Sequence, residues 1–98
     1  MLKILLATTL AAAAAGCAVQ LEPGAEHVRI VTAGEKGSCQ SLGIISTEQS
    51  LGPNKQGNAM NKALNEVARR GGNGIFVVSE IAHFDGVGFM GEALRCQP

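Results

Sequence analysis

The chain has 98 residues, of which 46% are apolar and 3% aromatic, and eight basic and eight acidic side chains give a formal net charge of zero. This length allows one domain. No basic cluster stands out beyond Arg69-Arg70, so the charge pattern argues against nucleic acid as a partner. The arginine pair near a helix end is more simply a favourable interaction with the helix dipole. The same neutrality argues against electrostatic capture by anionic lipid.

The first sixteen residues are expected to be a lipoprotein signal peptide. Lys3 precedes a continuous run of apolar and small residues, 4–15, which has the length of a secretory apolar region and is too short to span ~30 Å of hydrocarbon. The run ends in Ala14-Ala15-Gly16-Cys17, which resembles the bacterial lipobox, where cleavage precedes a cysteine that carries lipid. Leucine is usual where Ala14 stands. Ordinary secretory cleavage after Ala15, which would leave Cys17 as a plain thiol, and a buried alanine-rich helix are the alternatives.

The odd number of cysteines supports lipidation of Cys17 in an exported protein. Lipid on Cys17 accounts for the odd number and leaves Cys39 and Cys96 as the available pair. An oxidising compartment favours a disulfide between them. In the chain-entropy view such a bond stabilises the fold by about 4 kcal/mol. Two separate buried thiols are the alternative.

The segment after the signal peptide is expected to be a short tether. Residues 17–26 comprise Cys17 and a tether containing Pro23-Gly24, and residues 27–98 form the domain. A tether of this length reaches ~35 Å when extended, which keeps the domain close to the membrane. In Gram-negative sorting an aspartate after the lipidated cysteine signals inner-membrane retention. Ala18 stands there instead, which predicts the periplasmic face of the outer membrane.

The first half of the domain predicts two strands. Residues 27–33 (HVRIVTA) read as a strand, and the turn-forming cluster 34–38 has the length of a hairpin loop. Residues 39–47 (CQSLGIIST) are predicted to form the second strand, in which Gly43 indicates a bulge or a close approach of another backbone segment. The polar stretch 48–57 is expected to be a loop.

The stretch 58–82 predicts a core helix followed directly by a strand. The helix is expected to begin near Asn58 as N-cap and to end near Arg70, with Gly71 or Gly72 as a left-handed C-cap. Glu66 and Arg70 are spaced for a stabilising ion pair. The predicted buried stripe comprises Met60, Ala63, Leu64, Val67 and Ala68, and the predicted outward residues are Asn61, Lys62, Asn65, Glu66 and Arg69.

Residues 74–96 are predicted to form two strands joined by a turn. Residues 74–82 read as the third strand, with Ile81 on the same face as Ile75 and Val77. Residues 83–86 (HFDG) predict a tight turn and residues 87–96 the last strand. The order ββαββ predicts an α+β domain with one helix packed on a four-stranded, mostly antiparallel sheet.

Short motifs spread over the mature chain resemble a known family. They are Gly16-Cys17-Ala18, Pro23-Gly24-Ala25-Glu26-x-Val28, Cys39-x-x-Leu42-Gly43, Ala63-Leu64-Asn65-x-x-Ala68-x-x-Gly71 followed by Gly72-Asn73, and Gly91-Glu92-Ala93-Leu94-x-Cys96. Together they are similar to the YjeI-like domain of unknown function, found in small proteobacterial lipoproteins and distantly similar to RcsF and the YbjQ-like fold. The resemblance implies a ββαββ domain, an outer-membrane anchor and a disulfide between Cys39 and Cys96. The second disulfide and the long proline-rich tether of RcsF-like sensors have no counterpart in this sequence.

No catalytic, metal or cofactor site emerges from the sequence. His27, His83 and Asp85 lack the spacing of a metal site, and the serines lack a nucleophile elbow. The glycine-rich stretch 71–74 follows the end of a helix, whereas a glycine-rich loop that binds phosphate precedes the N-terminus of a helix. We therefore expect a non-enzymatic, lipid-anchored binding domain whose partners are the membrane and a further envelope protein. The alternative is an envelope-stress sensor of the RcsF type, and a small periplasmic enzyme has the least support.

Overall fold

The computed structural model describes residues 18–97, so the expected signal peptide and Cys17 lie outside the described part of the chain. The elements are a 3-10 helix (Ala25–His27), β1 (Arg29–Ile30), α1 (Ala33–Lys36), β2 (Cys39–Gln49), α2 (Lys55–Arg69), β3 (Gly74–His83) and β4 (Gly86–Cys96). The strands form one mixed sheet in the order β1-β3-β4-β2, in which β1 runs parallel to β3 and the other pairs are antiparallel. The α+β class and the ββαββ order are confirmed.

The first two strands do not form the hairpin suggested by the turn cluster at 34–38. They lie at opposite edges of the sheet, and β1 contains only two residues. The local cause is a capping box, in which the Thr32 side chain accepts a hydrogen bond from the Glu35 N–H while the Glu35 carboxylate accepts one from the Thr32 N–H. This box begins a helical turn, α1, where the sequence pattern predicted the end of a strand and a loop.

Helix α2 begins four residues earlier than the sequence pattern predicted, because Asn54 and not Asn58 is the N-cap. Asn54 adopts a left-handed conformation with φ of 53°, and its side chain accepts a hydrogen bond from the Gly57 N–H at 3.3 Å. A Cβ on Gly57 would clash with the Asn54 side-chain amide, so this cap depends on glycine. The predicted loop at 48–57 therefore shrinks to residues 50–54.

The C-terminal end of α2 follows the prediction. Gly71 has φ of 77°, and its N–H donates to the Ala68 carbonyl at 3.0 Å while the Gly72 N–H donates to the Val67 carbonyl at 2.9 Å. This is the Schellman arrangement, which satisfies the last helical carbonyls. The predicted pair of Glu66 and Arg70 forms at 3.1 Å.

The main core lies between α2 and one face of the sheet. Because small residues line the inner side of the helix, the helix packs closely on the sheet. Ala63 and Val67 are buried as predicted, whereas Met60 and Leu64 are only partly buried and pack at the margin. The fully buried cluster comprises Ile45, Ala59, Ala63, Val67, Ile75, Phe89 and Ala93.

A second, smaller cluster lies on the opposite face of the sheet. Val31, Leu94 and Cys96 are buried there, with Phe76 and Cys39 packed against them. Cys39 and Cys96 are register partners on β2 and β4 and form a disulfide with a Cα–Cα distance of 4.3 Å. The predicted disulfide is confirmed, and it joins the start of the second strand to the end of the last.

Two bulges set which residues face outward. The first lies between Ser41 and Ile44 and includes Gly43 with φ of 98°, as predicted. The second, at Val78, was not predicted. It places Ser79 opposite Met90 and Ile81 opposite Gly88. Because of this extra residue, Ile81 does not share a face with Val77 as expected but lies on the face opposite α2, with 53% of its surface exposed.

Candidate functional site

The segment expected to be a tether lies against α2. We call residues 19–22 the N-terminal strap. The backbone N–H of Val19 donates to the Asn58 side-chain oxygen at 3.2 Å, and the Asn61 amide donates to the Val19 carbonyl at 3.0 Å. The strap therefore begins beside the first turns of α2.

The strap continues along the helix. The Asn65 amide donates to the Gln20 carbonyl at 2.8 Å, and the Asn65 side-chain oxygen accepts from the Glu22 N–H at 2.7 Å. Arg69 then donates from both Nε and its terminal nitrogen to the two carboxylate oxygens of Glu22, a bidentate ion pair. This pair lowers the pKa of Glu22, chiefly through the hydrogen bond from Arg69. Residues 19–22 therefore pack on α2 instead of forming a free tether.

Three asparagines make this contact possible. An asparagine side chain offers both a donor and an acceptor, so it can satisfy the N–H and the C=O of a neighbouring extended chain. Asn58, Asn61 and Asn65 recur at spacings of three and four residues and so lie on one side of α2. Asn58 and Asn65 are only 5% and 4% exposed, which corrects the outward placement expected for Asn65. The helical spacing of the asparagines was the available sequence signal.

The start of the described chain, the β3–β4 turn and the loop between β2 and α2 lie at the same end of the domain. A Cβ on Gly86 would lie 2.9 Å from the Gln49 carbonyl, so the β3–β4 turn sits beside the end of β2. The Asn58 amide, which contacts the strap through its oxygen, donates to the Pro53 carbonyl at 3.2 Å. Within this region Phe84 is 100% exposed and Leu51 is 78% exposed. We call the region around these two side chains the apolar end.

The sheet face opposite α2 carries a second exposed apolar surface. Ile44, Ile81 and Met90 are 55%, 53% and 40% exposed and come from β2, β3 and β4. Ile44 lies opposite Glu92 and Ile81 lies opposite Gly88, so each isoleucine is diagonal to Met90. We call this row the open face. A shallow hollow of about 150 Å³ adjoins it, lined partly by Ser46, Glu48 and Ser79.

Helix α1 bounds the open face at the disulfide end. The Lys36 ammonium lies 2.7 Å from a Glu92 carboxylate oxygen and 4.7 Å from the centre of the Phe76 ring. The hydrogen bond from Lys36, together with one from Ser41, lowers the pKa of Glu92. The Glu92 side chain is 14% exposed, so this polar cluster separates the disulfide core from the solvent-exposed row.

The predicted cysteine sites divide into two cases. Cys39 and Cys96 are joined in the structural disulfide, whereas Cys17 lies outside the described residues. Over residues 18–97, no three histidine, cysteine, aspartate or glutamate side chains converge as metal ligands would. In the same part of the chain, no helix has both the length and the apolar character needed to cross a membrane.

Comparison with known proteins supports the fold. The protein-family models and the curated proteins give no match to this chain. Among solved structures, the chain is similar to the solution structure of SrfN, a secreted protein of Salmonella typhimurium LT2, with a TM-score of 0.61 and 17% identity over 69% of this chain and 86% of that one. At this identity the likeness shows the fold alone: a small α+β domain with one main helix on a four-stranded mixed sheet. The resemblance to YjeI-like lipoproteins stays a prediction.

Proposed function

We propose that this protein is a lipid-anchored protein of the cell envelope that binds another protein, without catalysing a reaction, at the periplasmic face of the outer membrane. The lipobox-like sequence before Cys17 supports the anchor. The disulfide between Cys39 and Cys96 supports export, because such bonds persist in oxidising compartments.

The observation that carries the binding proposal is the open face. Single exposed apolar side chains are ordinary, but Ile44, Met90 and Ile81 form a continuous diagonal row across three strands. An antiparallel sheet with one solvated face normally alternates apolar inward and polar outward. The Val78 bulge reverses that alternation and turns Ile81 toward solvent.

The surroundings of the row resemble the edge of a protein interface. Ser46, Ser79 and Glu48 border the shallow hollow, so polar groups able to form hydrogen bonds lie next to the apolar side chains. Interfaces between proteins commonly combine an apolar centre with a polar rim. The hollow is open and shallow, which suits a partner's side chains better than an enclosed small molecule.

Site-specific photo-crosslinking in intact cells tests this function. A photoreactive residue at Ile81 or Met90 should give a discrete covalent adduct with another envelope protein. Gln56, an exposed residue on α2 and away from the open face, serves as the matched control position. If positions 81 and 90 give no adduct, or give the same adducts as position 56, the open face does not bind a protein partner.

A further inference from the structure

We propose that the apolar end docks on the lipid surface, with Leu51 and Phe84 inserted at the boundary between head groups and acyl chains. This inference rests on the proposed anchor at Cys17 and adds a second, non-covalent contact. Its occupant is a bilayer, which accepts apolar protrusions without requiring a complementary shape.

The position of Val19, near the start of the described residues, supports docking through the apolar end. Val19 is hydrogen-bonded to Asn58 and Asn61 in the first turns of α2, and Cys17 is two residues earlier. Consecutive Cα atoms lie 3.8 Å apart, so the Cα atom of Cys17 is within about 8 Å of the Cα atom of Val19, the residue held on α2. Because the strap is held along α2, little free chain remains to carry the domain away from the bilayer.

The chemistry of the apolar end fits a membrane interface. Phe84 and Leu51 have the largest exposed fractions among the exposed large apolar side chains of residues 18–97. They project from two separate connections, the β3–β4 turn and the loop between β2 and α2. Gln49 pairs with Val87, next to Gly86, so these connections lie together at the end where the described chain starts. Apolar side chains at such a surface bury area in the acyl boundary and reinforce a single lipid anchor.

The docked orientation leaves the open face accessible. Strands β2 and β3 both run toward the apolar end. In the docked orientation the strands are therefore roughly perpendicular to the membrane, and both faces of the sheet are exposed to the periplasm. Ile44, Met90 and Ile81 then remain available to a protein partner while Leu51 and Phe84 contact lipid.

Tryptophan fluorescence tests the docking, since the natural sequence contains no tryptophan. Full-length protein is expressed, purified from cell membranes as Phe84→Trp and Leu51→Trp variants, and reconstituted into phosphatidylethanolamine–phosphatidylglycerol vesicles. Ala33→Trp is the control, because α1 lies at the opposite end of β2, about 30 Å away along a strand of this length. Brominated lipids should cause a loss of emission from the first two variants and leave the Ala33→Trp variant unchanged.

Absence of quenching in both test variants would overturn the docking. A blue-shifted but unquenched emission would also overturn it, because a protein surface such as a second copy would then cover the apolar end. The mass of the same purified samples reports lipid on Cys17 independently. If the protein carries lipid but its tryptophans are not quenched, the docking proposal is refuted and the anchor proposal stands. If the protein carries no lipid but is still quenched when it is added to the vesicles, the anchor proposal is refuted and the docking proposal is supported.

Discussion

The side chain of Asn65 accepts a hydrogen bond from the backbone N–H of Glu22 at 2.7 Å, although 43 residues separate them. The same side chain donates to the Gln20 carbonyl at 2.8 Å. This double contact turns the first residues after Cys17 into part of the domain. It therefore fixes where a lipid on Cys17 would hold the fold.

Replacing Asn65 by alanine should destabilise the protein by about 1–3 kcal/mol, because two hydrogen bonds are lost and a partly buried N–H is left without its acceptor. Urea unfolding measures the change. Asn61→Ala, which removes one hydrogen bond from the less buried Asn61, should cost less. If the two variants are equally stable, the strap is not held as described.

Loss of the disulfide should lower Tm markedly. Cys39→Ala with Cys96→Ala removes a cross-link worth about 4 kcal/mol, which in a domain of this size corresponds to roughly 15–30 °C. Calorimetry of the oxidised natural protein, the same protein after reduction and the double variant provides the measurement. The reduced protein and the double variant should have the same Tm, below that of the oxidised protein. If all three samples have the same Tm, the disulfide contributes little to stability.

Gly57→Ala should stabilise the protein by less than the about 1 kcal/mol by which alanine usually favours a helix over glycine, or should destabilise it. The new Cβ would clash with the Asn54 side chain and remove the cap, at a cost of about 0.5–2 kcal/mol. In an Asn54→Gly background, which retains the left-handed φ without the side chain, the same substitution should stabilise the protein by about 1 kcal/mol. Equal effects in both backgrounds would contradict the clash.

Acid should weaken the Lys36–Glu92 contact. The pKa of Glu92 is lowered from its ordinary value of 4.5, so its stabilising contribution is complete above that pH and is lost as the pH falls through the lower folded value. At pH 7 a Glu92→Gln variant should be less stable than the natural protein, and the difference should shrink below pH 4.5. Unfolding free energies measured across this range provide the test, and a difference that does not change with pH would exclude the ion pair as its source.

Local signals predicted much of the fold. Gly71-Gly72 indicated the end of α2, Gly43 indicated a bulge, and the residue pattern around Asp85-Gly86 indicated the β3–β4 turn. Each depends on backbone preferences within a few residues, which a sequence displays directly. The pairing of Cys39 with Cys96 followed from counting, since assigning the expected lipid to Cys17 left these two.

Long-range pairing accounts for the differences. The Thr32–Glu35 box interrupts the chain after β1, and nothing local indicates that β1 pairs in parallel with β3. The Val78 bulge that exposes Ile81 has no glycine to mark it. The strap depends on Asn65 meeting residues more than forty positions earlier, so the helical pattern placed Asn61 and Asn65 among the solvent-facing residues.

The most direct test of the lipid-anchored assignment is the mass of the N-terminal peptide of protein purified from cell membranes. The assignment predicts a chain that begins at Cys17 and carries covalent lipid, and a Cys17→Ser variant that is neither lipidated nor retained in the membrane fraction. A mature chain that begins elsewhere, or an unmodified Cys17, would contradict it.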